Sequence, residues 1–492
     1  MLEAFRRALR RPAAAIVGCG VALVLLMGAV TRRGPALADE FVYLAGARHL
    51  ATAGSLDARY YDAGAILARG LPHHDVHTPG YVLVLGALMA VAGATYETAV
   101  ALNAAAYVAS GVFIFVLARA LGQAESAAWL AALAFLVLPV SLAYVYWAMA
   151  ELVLGAAFLA CLAVAADSTG RGRAITAGLL FGAALLVRES VLFGFPALLV
   201  LLPSRRRRME CAVAAGAFCV LAYAPLSANR APGGANFWSP TSGRAFAHRA
   251  VQSAGEGRWG QAASIALERA SANRGDLVHA PAAEQAVLAL YAAIPLVAII
   301  GWRRRPSVQR RYLLTLIAGY AAMIGVLFAL YVVAQWSGLR YLMVLVTAFL
   351  PALAPPPGSS RRGWTPAVVV TIAAALAQPG VVRAFDAYKA SRQRRQENLT
   401  AYVEQRLGPA PVGRIALANG WLFGWRHPEV EVISSLPADG GTLRLLERAA
   451  WFDYLVLPGD SPLGAEWDAR TRYERVNAAE ADAPLRVYRR LR

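Results

Sequence analysis

AAAIVGCGVALVLLMGAV, residues 13–30, is an unbroken apolar run preceded by Arg6, Arg7, Arg10 and Arg11 and followed by Arg32 and Arg33. As a helix it reaches nearly across the roughly 30 Å of a bilayer's hydrocarbon core. Similar runs recur as far as Ala377, and only from about Val381 does the chain take on ordinary soluble composition. With 58% hydrophobic and 16% charged residues, the chain is more apolar than a soluble protein, whose charged share is about a quarter. A bilayer is its natural solvent. An Ala36-Leu37-Ala38 triplet imitates a signal-peptidase site. The apolar run is longer than a signal h-region, however, and Arg32 and Arg33 intervene, so the segment reads as an uncleaved span.

The formal charge of +18 comes from arginines in short clusters between apolar runs, not from a basic stripe interleaved with aromatics. That distribution excludes nucleic acid as a partner and makes the clusters topology signals. Cys19, Cys161, Cys211 and Cys219 all lie in apolar segments without CxxC spacing, which argues against a disulfide framework.

Cytoplasmic loops collect Lys and Arg, so four arginines before the first span against two after it place the N-terminus in the cytoplasm. Arg171 and Arg173, Arg205–Arg208, Arg303–Arg305 with Arg310 and Arg311, and Arg361 with Arg362 are then cytoplasmic too. Spans are expected at 13–30, 98–121, 127–147, 148–166, 174–188, 191–202, 212–227, 285–302, 312–334, 340–353 and 365–377. The segment Tyr81–Val91 is too short to cross and reads as a half-inserted or interfacial helix. Alternatively it crosses, and the Pro139 region is re-entrant.

The expected fold is a polytopic α-helical membrane protein of about 11 transmembrane helices, within roughly 10–13. The membrane region is residues 1–380, with outer loops 31–96 and 228–283, and a small α/β extracytoplasmic domain follows over 381–492. In that domain Arg414–Ala418, Val430–Ile433, Tyr454–Leu457 and Leu485–Tyr488 read as strands and Thr442–Ala450 as a helix. It has no GxGxxG or P-loop, so no nucleotide site is assigned. The 228–283 loop holds Gly233, Gly234, Gly243, Trp238, Phe246 and Trp259 and is expected to be partly helical near the bilayer surface. Localisation is the inner (plasma) membrane, with the C-terminal domain periplasmic or extracellular.

Asp39-Glu40 opens the first outer loop, and His73-His74-Asp75-Val76-His77-Thr78-Pro79-Gly80-Tyr81 closes it. Adjacent acids at a membrane exit are either solvated or functional. Glu151 opens a later span after Tyr144, Tyr146 and Trp147; an acid there is costly unless it faces a polar cavity. Arg188-Glu189 ends one span and Arg340-Tyr341 begins another.

In the order and shared side of these features the chain resembles the GT-C superfamily of polytopic glycosyltransferases. The likeness is to bacterial relatives of protein mannosyltransferases and of the aminoarabinose transferase that modifies lipid A. Thr78 and Gly80 depart from the family's His-Pro-Pro-Leu-Tyr-like segment. The resemblance implies transfer of a sugar from a polyprenyl-phosphate donor to a glycan, lipid or protein acceptor among membrane lipids, with inversion. Asp39 is then the base for the acceptor hydroxyl, and Glu40 positions the acceptor or orients Asp39. Arg188 and Arg340 bind the lipid phosphate, or alternatively anchor their helices by snorkelling. Glu151 lines the same cavity, while His77, Tyr81 and Tyr341 belong to the substrate site.

His73, His74 and Asp75 are ligand types suited to a divalent cation, without the spacing that would fix one. A transporter or lipid flippase is the main alternative, but it calls for ionisable residues at mid-membrane in two repeats, and no internal repeat is evident. A non-catalytic scaffold would leave Asp39, Arg188 and Arg340 replaceable.

Overall fold

The computed structural model describes residues 2–29, 31, 34–56, 60–62, 79–167, 171–228, 250, 253–300, 302–330, 339–354, 361–408, 413–435, 440–448, 450–480 and 483–491. His73, His74, Asp75, His77, Gly233, Gly234, Trp238, Gly243 and Phe246 lie outside them.

The chain begins with helices α1 (Leu2–Gly28) and α2 (Ala38–Ala53), a short strand β1 (Tyr60–Asp62), then α3 (Gly80–Ala92), α4 (Tyr96–Ala120), α5 (Glu125–Leu136) and α6 (Pro139–Ala143). There follow α7 (Glu151–Ala166), α8 (Arg171–Val187), α9 (Phe195–Leu201), α10 (Arg205–Ala228), α11 (Trp259–Val278), α12 (Ala282–Ala298), α13 (Ser307–Leu330) and α14 (Leu339–Phe349). The 47-residue helix α15 (Arg361–Leu407) leads into β2 (Arg414–Leu417), α16 (Trp421–Arg426), β3 (Glu431–Ser435), α17 (Gly440–Arg448), β4 (Tyr454–Pro458), α18 (Gly464–Asp468), β5 (Tyr473–Arg475) and β6 (Leu485–Arg490).

The helices share one core of Ala, Leu and Val with buried aromatics such as Tyr81, Tyr107, Phe135, Tyr144, Trp147 and Tyr291. Small residues allow close approach: α8 runs against α10, and α7 against both α4 and α8. Among the described residues, three helices are long and apolar enough to cross a membrane: Tyr96–Ala120, Ser307–Leu330 and Trp364–Leu407. Two bent pairs could raise this to five. One is the expected span 127–147, which bends by 54° where α5 meets α6 and the turn to Tyr146. Pro139, with no N–H and a fixed φ, begins the new helix there. The other joins α11 to α12 at 113°, so the 228–283 loop is helical over Trp259–Val278. The expected spans 13–30, 148–166, 174–188, 191–202 and 340–353 fall on shorter apolar helices, 212–227 lies within the 24-residue α10, and 191–202 is split between a 3₁₀ turn, Glu189–Gly194, and α9.

The sheet runs β1-β3-β2-β4-β6-β5, parallel from β1 to β4 and antiparallel through β6 and β5. The strand period of two divides its side chains cleanly. Ile415, Leu417, Val432, Val456 and Val487 face one layer, while Ala416, Ile433, Leu455, Leu457 and Tyr488 face the other with Leu443, Leu446 and Trp467. The four strands expected from sequence are present. β1, drawn from the first loop, and β5 are additional, and α15 continues through residue 380 to Leu407.

The first layer is where helical bundle and sheet meet. Phe41, Val42 and Ala45 of α2 pack with Val403 of α15, Trp421, Phe423 and the strands, while Tyr43, Leu44 and Ala47 of the same helix belong to the bundle core. Burial keeps the Tyr60 hydroxyl protonated well above its ordinary range, and it donates to the Trp421 carbonyl at 2.6 Å. The Arg48 guanidinium donates to Trp425 O at 2.8 Å and lies over that indole.

Candidate active site

α2 begins directly at Ala38-Asp39-Glu40, where acids in the first turn complement the exposed amide ends of the helix. The two neighbours point to different surroundings. Asp39 is half-buried and accepts a hydrogen bond from Arg340 Nη1 at 2.7 Å. Glu40 is fully buried. Its Oε2 accepts from the N–H groups of Ala36 at 2.9 Å and Leu37 at 3.1 Å, and its Oε1 from Ala148 N–H at 2.9 Å.

Around Asp39 three segments converge. Glu151, at the first turn of α7, is 0% exposed; its Oε1 pairs with Arg188, at the end of α8, and lies 3.6 Å from Arg340 Nε. Arg340, in the first turn of α14, and Arg188 both donate to the Tyr341 hydroxyl, at 3.3 and 3.1 Å, and both guanidiniums lie over its ring. Two carboxylates and two guanidiniums thus form a cluster of zero net formal charge. Guanidiniums are the groups that grip phosphate oxygens through two N–H bonds.

No family model matches the chain, and no curated protein matches it in sequence. Solved structures do resemble it. ArnT from Cupriavidus metallidurans bound to undecaprenyl phosphate aligns with a TM-score of 0.61 at 13% identity, over 96% of this chain and 97% of that one. ArnT in the apo state gives 0.59 at 14%, over 98% of each. The Archaeoglobus fulgidus oligosaccharyltransferase tethered with an acceptor peptide gives 0.57 at 12%, over 92% of this chain and 69% of that one. The chain shares the fold of these proteins.

Within this fold Asp39, Glu151, Arg188, Arg340 and Tyr341 come together, although 301 residues separate Asp39 from Arg340. Tyr81 lies one layer below: its hydroxyl donates to Asn103 Oδ1 at 3.3 Å and its ring meets Tyr43 edge-on at 4.9 Å. Gly80 explains one departure from the family pattern. A Cβ there would stand 2.5 Å from the backbone of Leu186, so only glycine lets α3 touch the chain just before Arg188.

The residue that sequence reading overlooked is Lys389. It is 1% exposed, 3.5 Å from Glu40 Oε1 and 2.6 Å from the Tyr96 hydroxyl, and it donates to Tyr146 O. The signal was its place on the apolar stripe Val382, Phe385, Lys389 of α15, at helical spacing. Reading the helix as ending near Ala377 concealed that stripe.

Proposed function

We propose that this chain is a membrane glycosyltransferase moving a sugar from a polyprenyl-phosphate donor to a hydroxyl of a glycan, lipid or protein on the outer face, with inversion. One observation carries the reading: Asp39 and Glu151 are drawn against Arg188 and Arg340 in one partly open cluster. Buried charges are expensive, and a scaffold has no use for four of them. In the reaction the acceptor oxygen bonds to the anomeric carbon as the bond from that carbon to the phosphate oxygen breaks. Asp39 takes the acceptor's proton, and the guanidiniums neutralise the departing phosphate. Arg340 holds Asp39 in the resting cluster, so a phosphate that recruits Arg340 also frees the base. Glu151 is the counter-ion that keeps the two guanidiniums side by side.

The neighbours are multi-pass membrane proteins. In keeping with that, the proposed topology has about eleven crossings, several by short helices, with the N-terminus cytoplasmic and the sheet outside the inner membrane. The proposed domain division, 1–380 and 381–492, falls within α15 where its apolar composition ends. An Archaeoglobus oligosaccharyltransferase was crystallised with zinc and sulfate. Here the described carboxylates of the site each face a guanidinium or ammonium, and the described residues hold no group of three ligand side chains. They do not fit a cation. A divalent cation therefore rests on His73, His74 and Asp75 alone.

The test is transfer of radiolabelled sugar from polyprenyl-phosphate donors to endogenous acceptors in membranes, comparing the native chain with Asp39→Asn. A folded variant is expected to lose at least about a hundredfold in rate. Undiminished transfer would remove Asp39 from the mechanism, and no transfer by the native chain would return the transporter reading.

A further inference from the structure

We infer that Lys389 is a positioning residue, acting through Glu40 to set the spacing between Asp39 and Glu151. This rests on the reading of Asp39 as base. An ionised carboxylate offers about four lone-pair sites. Glu40 places two N–H donors on Oε2 and sets Ala148 N–H and the Lys389 ammonium against Oε1. Fully buried, it has no remaining site for an acceptor, so the acceptor-positioning role expected of it passes to other groups.

Its partners define what it does instead. Ala36 and Leu37 immediately precede α2, which opens at Ala38 and carries Asp39 in its first turn. Ala148 lies three residues before Glu151, in the segment between the 3₁₀ turn ending at Tyr146 and α7. Within that segment Trp147 N–H bonds back to Tyr144 O at 3.2 Å and Met149 N–H to Trp147 O at 2.7 Å, and side chains supply further partners to its buried backbone groups. Asn103 Nδ2 donates to the Trp147 carbonyl, and Lys389 and the Tyr96 hydroxyl donate to that of Tyr146. Lys389 reaches both strands of this junction at once, from a helix whose neighbouring Phe385 and Tyr388 pack on Trp147. Removing its charge leaves Glu40 buried with its three N–H donors but without the ammonium counter-ion, which loosens the common anchor of the two acids of the site.

The experiment compares native chain, Lys389→Met, Glu40→Gln and the double variant, in nanodiscs and per folded molecule. Lys389→Met is expected to lower kcat at least tenfold, with donor KM and undecaprenyl phosphate binding within threefold. The double variant, which buries no unpaired charge, is expected to recover at least threefold of that loss. Unchanged turnover per folded molecule, a rise in KM instead of a fall in kcat, or no recovery in the double variant would overturn the inference. Should the native chain transfer no sugar, the functional reading fails by itself. Positioning is then read by hydrogen exchange at the amides of Ala36, Leu37 and Ala148. Faster exchange confined to them in Lys389→Met supports it, and unchanged exchange refutes it.

Discussion

Glu151→Gln removes one charge from a cluster that is otherwise neutral. The separation of 3.6 Å from Arg340 Nε, at an effective dielectric of about 20, corresponds to about 4–5 kcal/mol of attraction. The second contact, to Arg188, adds to it. Part is returned because Gln keeps the shape and an acceptor oxygen, and because both arginines keep Tyr341. A net loss of about 3–5 kcal/mol is expected, as for other buried pairs that lose one partner. At about 2.1 cal/mol/K of unfolding entropy per residue, that lowers the thermal midpoint by roughly 3–5 °C. Binding of an anionic donor should move the other way. A phosphate on the guanidiniums would lie about 6 Å from the missing carboxylate, a repulsion of about 1.5–3 kcal/mol, so lipid phosphate should bind roughly ten- to hundredfold tighter. Differential scanning fluorimetry with and without undecaprenyl phosphate, and a titration of the same lipid, read both quantities on one sample. A variant as stable as the native chain, or one that binds lipid phosphate more weakly, would refute the assignment of Glu151 as counter-ion to a phosphate site.

Arg340→Lys keeps the charge but loses the fork that reaches Asp39, Tyr341 and Glu151 together; donor Kd should rise about tenfold, and an unchanged titration would argue for simple anchoring. Gly80→Ala forces a methyl onto the Leu186 backbone and should cost about 1–3 kcal/mol; Gly18→Ala, whose Cβ meets nothing within 4 Å, is the thermal-shift control. Truncation after Leu407 strips the cover from Phe41, Val42 and Ala45 on the helix that carries Asp39 in its first turn, so transfer should fall for every acceptor; a change of acceptor preference alone would instead make the sheet a recognition module. The Glu466 and Glu480 carboxyls are held below their ordinary 4.5 by hydrogen bonds from Arg470 and Arg406. Their contribution is present above that value and lost as pH falls below it, so thermal unfolding of the sheet region should be flat between pH 5 and 8 and decline only in stronger acid.

Legibility followed the kind of physical signal each element leaves in the chain. Strands β2, β3, β4 and β6 were readable because alternate side chains face two different layers, as with Ile415 against Ala416 and Val456 against Leu455. β1 left no such signal: three residues of a loop become a strand only because β3 offers an unpaired edge, a contact made across some 370 residues. Asp39, Glu151, Arg188 and Arg340 were visible because charge at the end of an apolar run is anomalous, although their pairing was not. Lys389 was hidden because composition reports the solvent around a helix and not where the helix ends. The apolar character of α15 fades near residue 380 while its hydrogen bonds run on to Leu407. A lysine just past that point looks like surface until the helix is extended by three turns. It then falls in line with Phe385, on the face that the Trp147 segment covers. The same extension carries α15 from the bundle into the sheet. The anchor of Glu40 and the cover over Phe41 therefore depend on one helix, and the spacing of Asp39 from Glu151 belongs to both parts of the molecule.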